Sequence, residues 1–263
     1  MKAIILSAGQ GRRLMPLTES VPKCCLLLDG KTLLRRQIET LADNGVNEIV
    51  VVTGFNHQVV EEEIRKIRGI SVRTLYNPFY AVSDNLGTCW VAREEMKVPF
   101  LLLNGDTLFE SSTLTQLLSS ERIYPITLAV DRKGQYDDDD MKISADGEQL
   151  KRVGKKLNMD TVNGESIGMM VFNRAGAEHF VHTVERLMAR PDDLVRWYLS
   201  AIDALAVAGL VGICSIQGHG WCEVDDLDDY KHAENAVSSW PEPCKRVESY
   251  IIDLSKNIRR KVA

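Results

Sequence analysis

Apolar side chains run along this chain in two rhythms. Short unbroken runs at residues 4–6, 48–53 and 99–103 (Ile4-Ile5-Leu6, Glu48-Ile49-Val50-Val51-Val52-Thr53, Pro99-Phe100-Leu101-Leu102-Leu103) suit strands covered on both faces. Between the first two, residues 33–44 carry Leu33, Leu34, Gln37, Ile38 and Leu41 at helical spacing, and Asn44-Gly45 closes that helix. Residues 59–67 read as another helix and 72–76 as another strand. From Pro125 the rhythm shortens: strands are expected at 126–130, 141–144, 149–153 and 166–172, with Ala145-Asp146-Gly147 as a hairpin signal. Helices over 175–189 and 194–208 follow, then a strand at 210–216. The pattern predicts an α/β fold whose central sheet is mixed, mostly parallel and flanked by helices, with a β-rich insertion.

Composition narrows the classes. The 263 residues are 44% hydrophobic and 26% charged, enough for a sizeable core. A net charge of −5 with no basic block argues against a dedicated nucleic-acid binder. No stretch approaches the ~20 apolar residues of a membrane span, and the run after Met1 is too short for a signal peptide. Cys24, Cys25, Cys89, Cys214, Cys222 and Cys244 show no metal-ligand spacing, so they read as reduced thiols of a cytoplasmic protein.

The chemistry begins where the first strand ends. Ser7-Ala8-Gly9-Gln10-Gly11-Arg12-Arg13-Leu14 lets backbone N–H groups approach a polyphosphate, and Arg13 and Lys23 add fixed positive charge. Leu14 stands where a dinucleotide-binding loop needs its third glycine, and no G-K-[ST] follows, so neither common phosphate loop fits. Two acidic segments complete the set. Asn104-Gly105-Asp106 follows an apolar strand, which places Asp106 at the ligand-binding end of the sheet. Glu223 and Asp225, two apart, would share one face of a strand, with Asp226 or Asp228 opening a closing helix.

These segments resemble the nucleotidyltransferases that join an NTP to a sugar-1-phosphate or another phosphorylated alcohol. The signature loop is matched at Leu6, Ala8, Gly9, Gly11, Arg13, Leu14, Pro16, Leu17, Thr18, Pro22 and Lys23, and the C-terminal E-x-D motif at Glu223 to Tyr230. Cys24-Cys25 depart from the usual residues after Pro-Lys and read as packing at a strand start. The resemblance implies a Rossmann-like fold, one domain over 1–238 (1–124 mainly for the nucleotide, 125–238 for acceptor and metal closure) and a tail, 239–263. It implies Mg²⁺ on Asp106 and Asp225, and catalysis by Arg13, Lys23, Asp106 and Asp225. Leu6, Ala8, Gly9, Gly11, Arg13, Lys23, Ser83 and Asp106 would face the nucleotide.

A middle segment, Asn77-Pro78-Phe79-Tyr80-Ala81-Val82-Ser83-Asp84-Asn85-Leu86 with Trp90, is similar to that of the phosphocholine and aminoalkylphosphonate cytidylyltransferases, as is Asp139-Asp140-Met141-Lys142. CTP and a small phosphorylated or phosphonate acceptor are therefore the expected substrates. A sugar-1-phosphate or inositol-1-phosphate acceptor with CTP, UTP, dTTP or GTP, and a non-catalytic nucleotide-binding regulatory subunit, are the alternatives. On the acceptor side the resemblance implies Lys155, Glu165 and Glu223. Lys155 could equally be a surface lysine, and Glu165 could pair with a neighbouring lysine. Tyr80, Trp197 and Tyr198 could cage a quaternary amine, but helical spacing favours core positions for the last two. Residues 137–140 read as a solvated acidic loop. Oligomeric state stays open, a homodimer among the options.

Overall fold

The structure, a computed structural model, describes residues 1–121 and 123–241; Cys244 and the tail expected from residue 239 fall wholly or largely outside them. The first half alternates β1 (Lys2–Ser7), a ribbon of β2 (Leu27–Leu28) and β3 (Lys31–Thr32), α1 (Leu33–Asp43), β4 (Glu48–Thr53), α2 (His57–Lys66), β5 (Ser71–Tyr76), α3 (Asn85–Val91), β6 (Phe100–Asn104), β7 (Thr107–Phe109) and α4 (Ser111–Ser119). The second half runs β8 (Ile126–Asp131), β9 (Lys142–Asp146), β10 (Gln149–Val153), β11 (Gly164–Phe172), α5 (Arg174–Met188), α6 (Leu199–Val207), β12 (Val211–Ser215), β13 (Trp221–Glu223) and α7 (Leu227–Ser239).

Nine strands form one mixed sheet in the order β5-β4-β1-β6-β11-β8-β12-β10-β9, and β9 also pairs with β11. β5, β4, β1 and β6 are mutually parallel. β11 runs antiparallel to β6 and β8, so the direction changes at the centre of the sheet. The β-rich stretch therefore extends the same sheet. All nine residues of β11 are buried, which suits a strand with neighbours on both edges and layers on both faces.

The period-two alternation of the strands sorts their side chains between two cores. Ile4, Val50, Val52, Phe100, Leu102 and Phe172 pack on the face covered by α3, α5 and α6, with Phe180, Tyr198 and Ile202. Ala3, Ile5, Ile49, Val51, Leu101 and Leu103 face α1, α2 and α4, meeting Leu34, Ile38, Val60 and Leu114. Each such fully buried Leu, Ile or Phe contributes roughly 1.5–3 kcal/mol relative to exposure. A third cluster joins Leu14, Leu28 and Leu33 to Leu108, Cys222, Val224 and Val237, welding the N-terminal loop to α7.

The helix expected over 194–208 begins only at Leu199. The carbonyls of Leu194 and Arg196 accept the N–H groups of Asp84 and Leu86, so they are spent on the approach to α3 and not on a helical ladder. The helices α3 and α4 carry no clear sequence signal; α4 opens Ser111-Ser112-Thr113, weak helix formers that the burial of Leu114 and Leu117 overrides.

Candidate active site

The turn after β1 is built letter by letter from its sequence. Gly11 takes a left-handed φ of 78°. A Cβ there would lie 2.8 Å from Cβ of Lys23, so the missing side chain is the passage through which Lys23 crosses the loop. The Thr18 hydroxyl, fully buried, donates to the carbonyl of Gly11 at 2.8 Å, and Gln10 Nε2 donates to the carbonyl of Thr18 at 3.2 Å. Leu14 anchors the turn in the third core cluster, while Arg12 faces solvent. Cys24 and Cys25 are buried as expected, but in a single 3₁₀ turn, Lys23–Cys25, and not at a strand start. The bonds from Cys25 N–H to Pro22 and from Leu26 N–H to Lys23 close that turn.

The two acidic segments meet because β7 and β13 pair antiparallel, with Thr107 opposite Glu223. The Val224 N–H donates to the carbonyl of Asp106 at 3.2 Å, fixing Asp106 and Asp225 at the same end of the ribbon. Asp225 lies beyond β13, which stops at Glu223, because the Asp229 carboxylate takes the N–H groups of Asp225 and Asp226 at 3.0 and 3.2 Å. Asp226 caps α7 in a reciprocal capping box with Asp229.

Lys23 Nζ lies 2.6 Å from Asp106 Oδ2 and 2.7 Å from Asp225 Oδ1. Arg13 Nη2 reaches Asp225 Oδ2 at 2.6 Å, Arg13 Nη1 reaches Asp139 Oδ2 at 3.3 Å, and Lys155 Nζ reaches Asp139 Oδ1 at 3.1 Å. Charges thus alternate from Asp106 to Lys155. Burial works against the Lys23 ammonium, but Asp106 and Asp225 outweigh it and raise its pKa. Burial likewise works against the Asp225 carboxylate, yet Lys23 and Arg13 hold its pKa below the ordinary value. Glu223 goes the other way: burial first, then Asp106 and Asp225, push it up to about 8.

Two cavities flank this row. Leu6, Ala8, Gly9, Gly11, Lys23, Ser83 and Asp106, all expected to face the nucleotide, line the first. A Cβ on Gly9 would meet nothing within 4 Å, so the loop presents open backbone there. Ser83 is fixed by donating to the carbonyl of Phe79 at 2.9 Å. Arg13, expected in this cavity, lines the second instead, with Lys155, Glu223, Asp225, Asp139 and Trp197. Asn85, Asn104 and Asp106 line both.

Two expectations need correction here, the loop 137–140 and Trp197, while Glu165 and Tyr198 take the alternatives that the sequence also allowed. Glu165 does not line the second cavity; it is buried and pairs with Lys133 at 3.0 Å, and burial pushes its carboxyl up to about 7. The loop 137–140 is not simply solvated: Asp139 enters the cavity, and Asp140 pairs with Lys133 at 2.7 Å. Trp197 is 41% exposed, with Lys155 Nζ 4.9 Å above its ring, because the chain entering α6 is not helical at that point. Tyr198 is in the core and Tyr80 lines the other cavity, so the three aromatics form no cage.

Two supporting residues escaped sequence reading. Gln37, nearly fully buried on α1, donates from Nε2 to the carbonyls of Asn104 and Thr107 at 2.8 and 2.7 Å and so holds the turn carrying Asp106. Its signal was a polar side chain in an apolar helical stripe. The Tyr198 hydroxyl donates to Asn104 Oδ1 at 3.2 Å.

The donor set suits a hard divalent cation. Asp106 Oδ1 is buried with no hydrogen-bond partner, and Asp225 supplies a second carboxylate. Among the described residues no group of three or more His, Cys, Asp or Glu is arranged to hold an ion. Two carboxylates completed by substrate oxygens and water are what Mg²⁺ takes. No helix among the described residues is long and apolar enough to cross a membrane.

The Nucleotidyl transferase family matches residues 2–123. The chain is 26% identical over 263 residues to the "Bifunctional IPC transferase and DIPP synthase" of Aquifex aeolicus, covering 99% of this chain but only 56% of that protein. It is 24% identical over 250 residues to the "Choline-phosphate cytidylyltransferase" of Streptococcus pneumoniae, covering 91% of this chain and 99% of that one. The solved inositol-1-phosphate CTP transferase from T. maritima superposes with a TM-score of 0.76 at 21% identity, over 90% of this chain and 96% of that chain. The chain thus has the fold of the superposed transferase, and its first 123 residues carry the similarity to the Nucleotidyl transferase family.

Proposed function

We propose that this chain is a Mg²⁺-dependent cytidylyltransferase that transfers CMP from CTP to a small phosphorylated or phosphonate acceptor and releases pyrophosphate. The observation that carries the reading is the meeting of two cavities at Asn85, Asn104 and Asp106. A transfer between two bound substrates needs one place where nucleophile and electrophile touch, with separate room behind each.

The loop from Ala8 to Gly11 and Lys23 would receive the triphosphate, and Ser83 lies where the nucleoside would extend. Lys155 and Arg13 would receive the acceptor phosphate, with Glu223 beside it. An acceptor phosphate oxygen attacks the α-phosphorus, the bond to the β-phosphate oxygen breaks, and pyrophosphate leaves. The acceptor is already ionised, so no general base is required. The chain's task is alignment and neutralisation of charge, and Lys23 and Arg13 carry fixed positive charge for it. Mg²⁺ on Asp106 and Asp225 would add Lewis-acid neutralisation of the phosphates.

CTP is favoured by the segment around Asn77 to Trp90 and by the cytidylyltransferase named among the relatives. An inositol-phosphate acceptor is the second reading, supported by the named activity of the superposed structure. The first half would then serve the nucleotide and residues 125–238 the acceptor. Pyrophosphate release across four NTPs and a panel of acceptors tests the proposal, with CTP expected to be fastest. Faster turnover with UTP or dTTP and glucose-1-phosphate would overturn it.

A further inference from the structure

We propose that Asp139 sets which acceptors the second cavity takes, because its carboxylate sits where Arg13 and Lys155 would receive an anion. The inference rests on the reading of that cavity as the acceptor side. Asp139 Oδ1 lies 3.1 Å from Lys155 Nζ, and Oδ2 lies 3.3 Å from Arg13 Nη1. The two cations come from opposite parts of the chain, the N-terminal loop and the segment after β10, and the carboxylate bridges them.

The bridge is held in place from behind. The side chain of Asp137 accepts the N–H groups of Asp139 and Asp140 at 2.8 and 3.1 Å. Lys142, only 3% exposed, turns its ammonium on the carbonyls of Asp137, Asp140 and Lys155. One buried ammonium therefore ties the backbone beside Asp139 to that of Lys155. The Asp139 side chain itself is 72% exposed, so its ion pairs are weak and replaceable.

Charge then decides what can replace it. A carboxylate offers one negative charge; a phosphate monoester or phosphonate dianion offers two, over three oxygens. A dianion gains by displacing Asp139, whereas a monoanion such as a phosphodiester exchanges like for like. Asp139 thus sets a threshold that a dianionic acceptor passes and a monoanionic one does not, the preference itself coming from Arg13 and Lys155.

The test compares wild type, Asp139→Asn and Asp138→Asn, the last altering an exposed neighbour. Binding of inorganic phosphate and of dimethyl phosphate is measured calorimetrically at pH 8 and constant ionic strength. Wild type should bind phosphate more tightly than dimethyl phosphate. Asp139→Asn should bind both anions about fivefold more tightly than wild type does, the scale set by two exposed ion pairs, which brings the monoanion into the measurable range. Asp138→Asn should match wild type. In turnover assays Asp139→Asn should lower the acceptor KM and leave the NTP KM unchanged. Unchanged or weaker anion binding in Asp139→Asn, an equal gain in Asp138→Asn, or no phosphate binding by any of the three would overturn the proposal. If wild type transfers no nucleotide, the proposed function fails, and the anion measurements still decide the role of Asp139.

Discussion

Gly11 and Lys23 share one space: a Cβ on the glycine would stand 2.8 Å from the Cβ of the lysine. Gly11 thus serves its own left-handed turn and the path of the ammonium that joins Asp106 to Asp225. Gly11→Ala should lower stability by about 1–3 kcal/mol, through the positive φ and the clash. It should also weaken NTP use, since Lys23 must shift. Denaturant unfolding and NTP KM check both; an unchanged KM would separate the lysine from the loop.

Asp106→Asn should lower turnover by roughly 10²–10³-fold, because a charge that organises the reacting phosphates is removed from a pre-arranged site. Asp106 lies in the turn beyond the carboxyl end of β6 and belongs to none of the core clusters, so the fold should persist. Pyrophosphate release and far-UV circular dichroism on the same preparation give the answer.

Lys23→Ala should leave Asp106, Glu223 and Asp225 facing one another without their shared cation. Added Mg²⁺ should therefore raise the Tm of this variant more than that of wild type, by restoring positive charge between the carboxylates. Equal Tm responses in the two proteins would argue against a cation site there.

Gln37→Leu should cost about 1–3 kcal/mol, since the carbonyls of Asn104 and Thr107 lose a buried donor. The turn bearing Asp106 loosens with it, so kcat should fall while both KM values change little. A stability loss with normal kcat would make Gln37 a matter of packing alone.

Stability should also depend on pH through Glu165. Burial raises its pKa in the folded chain from 4.5 to about 7, against the pull of Lys133, while Asp140 adds to the rise. Between those values the folded state holds a proton that the unfolded state has released. The stability that this group contributes is thus fully present below pH 4.5 and declines as pH rises to about 7. Glu165→Gln should flatten that stretch of the Tm profile measured from pH 5 to 8.

Features whose chemistry is local can be read from the chain alone. The strand Glu48–Thr53 is legible because a continuous apolar run must be covered on both faces, and α1 because its apolar stripe and Asn44-Gly45 stop are short-range facts. Arg13, Lys23, Asp106 and Asp225 stood out because a glycine turn, a basic pair and acids after apolar strands are readable at short range. Tertiary structure decided the rest. Whether Arg13 or Glu165 faces the second cavity depends on partners 126 and 32 residues away, Asp139 and Lys133, which no local window contains. The late start of α6 follows from carbonyls claimed by α3, and the work of Gln37 from carbonyls far along the chain. Local pattern fixes which side chains carry charge; long-range packing fixes which of those charges meet.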